Sequence, residues 1–411
     1  MNRFEAFTTQ FVQGTGAKEG AISPVIANSA AFAYGDPETA EGIFDGSVKK
    51  PLYARVGNPT SGKLEGLLAQ MEGGVGAIAT SSGMGATTLA VMSLLECGDE
   101  IISIGGLFGG TYSLFEETLK RFGIRTAFFD VDALEEVESV INAKTKLIFL
   151  ESVGNPNMRL PDLQAVAAIA EAHGIALMVD NTVTPLSIQP LKLGADIVVY
   201  STTKLIAGNA SALGGAAVFR AISEGKDKFK TSRYASIHKF IDKMGAMALV
   251  AVGKKRAMRD FGMSPSAFNS YLTLLGLETL PLRLNRIVDS VETVAHALKE
   301  AGLNINHPAL RDHPHHDRYT TQFANGTGPL LTIDMGSAEA AYAFLRKTKL
   351  VTITANIGDS RTLALHMAST IYSDFGDNER AFLGITPGLI RVSIGLENPD
   401  DLIRDFIAAA E

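Results

Sequence analysis

The chain has 411 residues, of which 46% are hydrophobic and 20% charged, with a formal net charge of -7. This is ordinary globular composition with length for a sizeable core, and its acidity argues against nucleic acid or an anionic membrane as the main partner. The single cysteine, Cys97, excludes an intrachain disulfide and a cysteine-rich metal site, and is expected to pack as a small hydrophobe.

Met1 to Gly20 carries polar and charged residues throughout and does not read as a signal peptide. The longest apolar runs fall short of the ~20 residues needed to span a bilayer. No membrane association is expected, and the expected location is the cytoplasm.

Residues 1–60 read as an irregular arm, with a short helix only at Glu38–Phe44. An arm without its own core is expected to wrap a neighbouring subunit, and Phe32, Phe44 and Tyr53 count against a disordered tail. From Ser61 the pattern changes. Ser61–Met71 is predicted helical, with Leu64, Leu67, Leu68 and Met71 on one face. Strands are predicted at Ala77–Thr80, Glu100–Ile104, Arg125–Phe129, Lys146–Leu150, Ala176–Val179, Ile197–Tyr200 and Ala216–Phe219. Helices are predicted between them at Ala86–Leu95, Thr111–Phe122, Ala133–Val140 and Pro161–His173. The last has Pro161 near its first position and Gly174 past its end. Strand alternating with helix predicts a mostly parallel sheet covered on both faces.

The stretch 220–260 reads as charged and helical, with Lys226, Lys228, Lys230 and Arg233 forming a solvated face. Leu272–Leu303 reads as a long amphipathic helix that Gly276 could break. Beyond it, β-rich runs at Gly328–Met335, Leu350–Ile353 and Leu389–Ile394, with helices at Ala338–Lys347 and Pro399–Ala410, predict a smaller α+β C-terminal domain. The expected division is an arm over 1–60, a cofactor-binding domain over 61–260 and a C-terminal domain over 261–411.

In an open α/β sheet, ligands sit beyond the carboxyl ends of the strands. Four such ends carry chemistry here. Ser81-Ser82-Gly83-Met84 opens a helix and bares N–H groups for an anion. Glu151 to Pro156 places an amide, Asn155. Asp180-Asn181-Thr182 places a carboxylate, and Ser201-Thr202-Thr203-Lys204 places a lysine after three small hydroxyl residues. A lysine at the end of a buried strand is either paired, solvated or reactive, and a Schiff base with a carbonyl cofactor would account for it. Together the four ends match pyridoxal phosphate. Lys204 suits the aldehyde, Asp180 the pyridine nitrogen, Asn155 the phenolic oxygen, and Gly83, Met84, Ser201 and Thr203 the phosphate. Taken singly, Asp180 reads as a cap or turn residue, and Asn155-Pro156 as a turn.

Two competing motifs carry less. Gly74-Val75-Gly76-Ala77-Ile78-Ala79 has the G-x-G-x-x-A form, but a helix precedes it and a strand follows, the reverse of a dinucleotide fingerprint. His307, His313, His315 and His316 lie among prolines without zinc-motif spacing, so they read as a polar surface loop and no metal is expected.

Over nearly its whole length the chain resembles the cystathionine and methionine metabolism enzymes that use pyridoxal phosphate. The resemblance rests on Tyr53-Ala54-Arg55-Val56-Gly57-Asn58-Pro59-Thr60, Ser82-Gly83-Met84, Leu107-Phe108-Gly109-Gly110-Thr111, Val179-Asp180-Asn181-Thr182, Ser201-Thr202-Thr203-Lys204 and Ile390 to Glu397. It implies the aspartate-aminotransferase-like pyridoxal-phosphate fold, in a homotetramer of tight dimers. It implies that Tyr53 and Arg55 reach the cofactor phosphate of the neighbouring subunit, that Ser82 belongs to the phosphate cradle and that Phe108 stacks on the cofactor ring. Arg391 would bind the substrate α-carboxylate, and Lys204 would move protons at Cα and Cβ.

Within the family, Ala355-Asn356-Ile357-Gly358-Asp359-Ser360 and Leu272 to Arg283 look like the O-acetylhomoserine sulfhydrylase branch, which places Asn356 among the substrate-binding residues. Phe108 stands where many relatives carry a tyrosine. Losing that hydroxyl favours activated homoserine esters, whose leaving acetate needs less protonation than a thiolate. Gly110 stands where methionine γ-lyases carry a cysteine. Met367 and Tyr372 stand where relatives often have Pro and His, which leaves substrate contacts there open. The expected reaction is a γ-replacement in which the acetyl ester of homoserine loses acetate and a sulfur donor adds at Cγ to give homocysteine. The alternatives are the succinyl ester as substrate, and a γ-lyase (methionine or cystathionine) that releases 2-oxobutyrate.

Overall fold

The computed structural model describes residues 2–16 and 19–411. Among these residues two sheets form. The larger contains β1 Gly76–Thr80, β2 Glu100–Ile104, β3 Arg125–Phe129, β4 Thr145–Glu151, β5 Ala176–Asp180, β6 Ile197–Tyr200 and β7 Gly215–Phe219. Their order is β1-β7-β6-β5-β4-β2-β3. β7 is antiparallel to both β1 and β6, and the other pairings are parallel. All seven predicted strands are present, with ends differing by one residue at most.

Alternation along the strands feeds two separate cores. Leu177, Val179, Val198 and Tyr200 face one side, against Leu64, Leu67, Leu68 and Leu277. Ala176, Met178, Ile197 and Val199 face the other, against Leu89, Val91 and Leu249. Burial on both faces explains why these strands read as unbroken apolar runs.

The smaller sheet holds β8 Ile305–Asn306, β9 Leu330–Asp334, β10 Thr352–Ile353, β11 Leu363–His366 and β12 Leu389–Ser393. Its order is β10-β11-β12-β9-β8. Helices Ala338–Lys347 and Pro399–Ala410 fall where predicted and cover it, with Phe344 packed on Phe406. β8 and β11 escape prediction, as do the seven-residue helices His316–Gln322 and Asp377–Leu383. Segments of two to seven residues show too little periodicity to read.

Several expectations are corrected. Residues 1–60 are not irregular before Glu38: Glu5–Thr15 is a helix. It buries Phe11, with Phe4 just before it, against Leu64 and Leu67, so packing rather than propensity stabilises it. The second helix of the arm runs Pro37–Asp45, capped by Asp36. Thr111–Phe122 is not one helix but an α turn, a π turn and a 3-10 turn in series. The helix expected from Pro161 begins after Asp162, whose side chain accepts the Ala165 N–H. Gly276 does not break the long helix, which runs Ala267–Glu300 and also absorbs Pro281. A side chain at Gly276 would overlap the Ile206 and Ala207 carbonyl oxygens, so the glycine is there for close approach to the turn that follows Lys204.

The 220–260 stretch is only partly a solvated face. Lys228 is buried and ion-paired at 3.1 Å to both Asp196 and Glu171, while Arg233 donates to the Asn142 and Thr145 carbonyls. Cys97 is exposed rather than packed, because it sits in the turn between the Gly83–Leu94 helix and β2. The histidines are not a surface loop either: His307, His313 and His315 are all buried. Among the described residues, no cluster of His, Cys, Asp or Glu is arranged to hold a metal, and no helix is long and apolar enough to cross a membrane.

Candidate active site

The carboxyl ends of β4, β5 and β6 open onto a cavity of about 220 Å³. Its lining brings together Ser82, Gly83, Met84, Phe108, Asn155, Asp180, Ser201, Thr203, Lys204 and Arg391. Residues separated by up to 309 positions therefore meet in one place, because parallel strands align their carboxyl ends and β12 of the smaller sheet carries Arg391 to the same rim.

Each side chain has a local reason for its position. Ser82 caps the Gly83–Leu94 helix, its hydroxyl accepting the Gly85 N–H at 3.1 Å. The first N–H groups of that helix have no partner inside it and face an anion with the positive end of the dipole. Gly83 cannot carry a side chain, since a Cβ there would lie 2.6 Å from that of Ser201. Lys204 lies in a tight turn just past β6, with its N–H on the Ser201 carbonyl at 3.2 Å. Thr203 exchanges hydrogen bonds with both backbone groups of Gly214, pinning the turn to the strand leading into β7.

The Lys204 amine donates to Asn356 Oδ1 at 2.7 Å. Burial, helped by the Arg391 charge, pulls its pKa down to about 8. Arg391 is itself fully buried. Its guanidinium donates to Asn155 Oδ1 at 3.1 Å and to the Ala355 and Asn356 carbonyls at 3.3 and 3.4 Å. Burial lowers its pKa to about 10, which leaves it charged at neutral pH.

Glu151, the last residue of β4, pairs in register with Asp180, the last of β5, and lines the same cavity. The sequence places Glu151 at a strand end but gives it no role, since only the β4–β5 pairing sets its carboxyl beside that of Asp180. Burial raises both carboxyls, and the neighbouring Asp180 charge pushes Glu151 further. Both accept N–H bonds that favour the ionised form, Asp180 from Thr182 at 2.9 Å and Glu151 from Phe108 at 2.7 Å. Since the neighbour's charge raises Glu151 but not Asp180, Glu151 is the member that keeps its proton more readily, and Asp180 the anion.

Behind the strand ends, Asn181 donates to the Tyr200 hydroxyl at 3.0 Å, and Tyr200 donates to the buried Glu72. Burial raises the Glu72 carboxyl to about 7. No motif pointed to this network.

Tyr53 and Arg55 are not among the described residues lining the cavity. Arg55 lies over the Tyr53 ring at 5.6 Å and donates to the Arg259 carbonyl, and Tyr53 is 43% exposed. Asn356 is beside the cavity, through its contact with Lys204.

A buried amine of lowered pKa, a carboxylate in the same lining and a helix N-terminus beside hydroxyls make a donor and acceptor set that fits pyridoxal phosphate. Comparison with known proteins agrees. The family model for Cys/Met metabolism PLP-dependent enzymes matches residues 8–411, and the chain belongs to that family. It is 37% identical over 386 residues to an O-acetyl-L-homoserine sulfhydrylase of Thermus thermophilus, covering 90% of this chain and 91% of that protein. It is 35% identical to the homocysteine/cysteine synthase of Saccharomyces cerevisiae, covering 96% and 93%. Among solved structures it superposes with a TM-score of 0.93 on a Campylobacter jejuni protein assigned as an O-acetylhomoserine (thiol)-lyase. That protein is 34% identical, the match covers 98% and 99% of the two chains, and it carries a lysine joined to pyridoxyl monophosphate.

Proposed function

We propose that the protein is an O-acetylhomoserine sulfhydrylase, which joins O-acetylhomoserine to a sulfur donor and yields homocysteine and acetate, a step of methionine biosynthesis. The observation that carries this reading is the meeting of the buried Lys204 amine with Arg391 and Asp180 in the lining of one cavity. Bound pyridoxal phosphate supplies an electron sink for negative charge at Cα.

Every other task falls to the chain. The N–H groups of Gly83 and Met84 and the hydroxyls of Ser82, Ser201 and Thr203 would hold the phosphate. Phe108 would cover the ring, Asn155 would serve its phenolic oxygen, and Asp180 its nitrogen. Arg391 grips the α-carboxylate of the amino acid, and Asn356 orients both Lys204 and the substrate. With its amine free, Lys204 would take the Cα proton, move protons at Cβ and return one at the end. At Cγ the C–O bond breaks and acetate leaves with its electron pair; a C–S bond then forms and the donor's proton is released.

The acetyl ester is favoured over the succinyl ester by charge. Among the described residues lining the cavity, the cations are Lys204 and Arg391. With Arg391 on the α-carboxylate, a succinyl group's second carboxylate would be left without one. Phe108 has no hydroxyl to protonate a leaving thiolate, which counts against the γ-lyase alternative.

Tyr53 and Arg55 are assigned to the phosphate of a neighbouring subunit in a homotetramer. Exposed apolar side chains on the arm, Ile22 at 83% and Phe44 at 70%, support a covered surface there. The cytoplasm is the proposed location, and no nucleic acid or membrane is required. The test is product analysis with sulfide present. Homocysteine should dominate, with the acetyl ester used far better than the succinyl ester. Dominant 2-oxobutyrate would overturn the replacement reading.

A further inference from the structure

Tyr372 drew notice in the sequence as a departure at a position expected to bear on substrate contacts. It is not among the described residues that line the cavity. Its phenol is fully buried, stacked edge-on against Phe375 at 5.2 Å. Its hydroxyl lies 3.1 Å from the Asn155 carbonyl oxygen and 3.3 Å from that of Leu107.

A phenol hydroxyl has one hydrogen and two lone pairs. It therefore shares its single hydrogen between the two carbonyls. Leu107 and Gly109 flank Phe108, whose own N–H is held by Glu151. The Asn155 peptide carries the side chain that accepts from Arg391. A single oxygen thus ties the backbone just before Phe108 to the backbone of Asn155. It reaches them from the segment between β11 and the Asp377–Leu383 helix, which belongs to the smaller sheet's part of the chain.

We propose that Tyr372 is a positioning residue: its hydroxyl sets the distance between Phe108 and Asn155, and through Asn155 the orientation of Arg391, without touching cofactor or substrate. The inference rests on the roles given to Phe108, Asn155 and Arg391 in the preceding section. Removing the oxygen takes this donor from the Leu107 and Asn155 carbonyls, so the backbone beside Phe108 and Asn155 relaxes.

The experiment uses Tyr372→Phe, which deletes only that oxygen, in the full-length holoprotein. Three quantities are read: the pyridoxal phosphate dissociation constant, the visible circular dichroism of the bound cofactor, and KM against kcat for the acetyl ester. The expected result is about 5- to 10-fold weaker cofactor binding, an altered dichroic band and a KM raised by a similar factor, with kcat changed less. A second arm builds the cycle with Phe108→Leu. If Tyr372 acts through Phe108, the two effects on cofactor binding are non-additive. Additive effects overturn the proposal. So does a lower thermal midpoint with unchanged dichroism, cofactor affinity and KM, which is the signature of a merely structural role. A wild-type protein without any visible band would sink the pyridoxal phosphate reading itself, so the two failures are distinguishable.

Discussion

The amine of Lys204 donates its hydrogen bond to Asn356 Oδ1 at 2.7 Å, across 152 positions of chain. An amide oxygen takes up one ammonium hydrogen without the charge that would hold the proton in place. The lysine is thus anchored, while its burial and the Arg391 charge leave it easier to deprotonate.

That relationship sets a pH dependence. The amine's pKa is lowered from its usual value to about 8, so its nucleophilic neutral form is lost as pH falls through 8. The rate at which apoprotein captures pyridoxal phosphate should rise with pH around a midpoint near 8. Asn356→Asp places an anion beside the amine and should move that midpoint upward. Stopped-flow absorbance on cofactor addition measures both, and a wild-type midpoint near that of an ordinary lysine contradicts the burial argument.

The adjacent carboxyls Glu151 and Asp180 should respond unequally. Glu151 keeps its proton, so Glu151→Gln preserves its charge state and should leave kcat/KM within about tenfold of wild type. Asp180→Asn removes the anion and should cost about 10²-fold or more, with a shifted visible absorption maximum. Equal losses in the two variants would contradict the assignment.

Arg391 is the cation assigned to the substrate carboxylate. Arg391→Lys keeps the charge but loses the two-pronged geometry. KM for the amino acid should rise about 10- to 100-fold while kcat changes by less. Steady-state kinetics decide this, and an unchanged KM removes Arg391 from that role.

The buried histidines predict acid instability away from the site. His307, His313 and His315 each accept a backbone N–H at Nδ1, from Ala309, His315 and Leu160 respectively. A proton at Nδ1 would break those bonds. Burial lowers His307 to about 3 and His313 to about 4. Below pH ~6.5 the unfolded chain binds protons that the folded chain refuses, so stability falls with pH by up to ~1.4 kcal/mol per unit for each such histidine. His307→Asn retains an acceptor for Ala309 but does not titrate. Thermal midpoints measured from pH 7 to 4 should fall less steeply for this variant than for wild type.

The larger sheet was legible in the residues because burial on both faces demands apolar runs of four to seven residues. Small and polar residues where those runs stop marked the rim, so Ser82, Asn155, Asp180, Ser201 and Lys204 could be named from sequence. The helix at Glu5–Thr15 was not legible, since it exists through Phe4 and Phe11 docking on a distant helix.

The partnerships inside the site belong to the tertiary structure alone. Lys204 with Asn356, Asn155 with Arg391 and Tyr372 with Asn155 are separated by 152, 236 and 217 positions. Strand and helix periodicity is a local property, and carries no record of which strand ends the folded chain sets side by side. The sequence by itself thus determined which residue types stand at the rim. Folding decided which of them touch, because the β-strand order and the long Ala267–Glu300 helix bring the two sheets to one cavity, and it is that contact which buries Lys204 beside Arg391 and lowers the pKa of its amine.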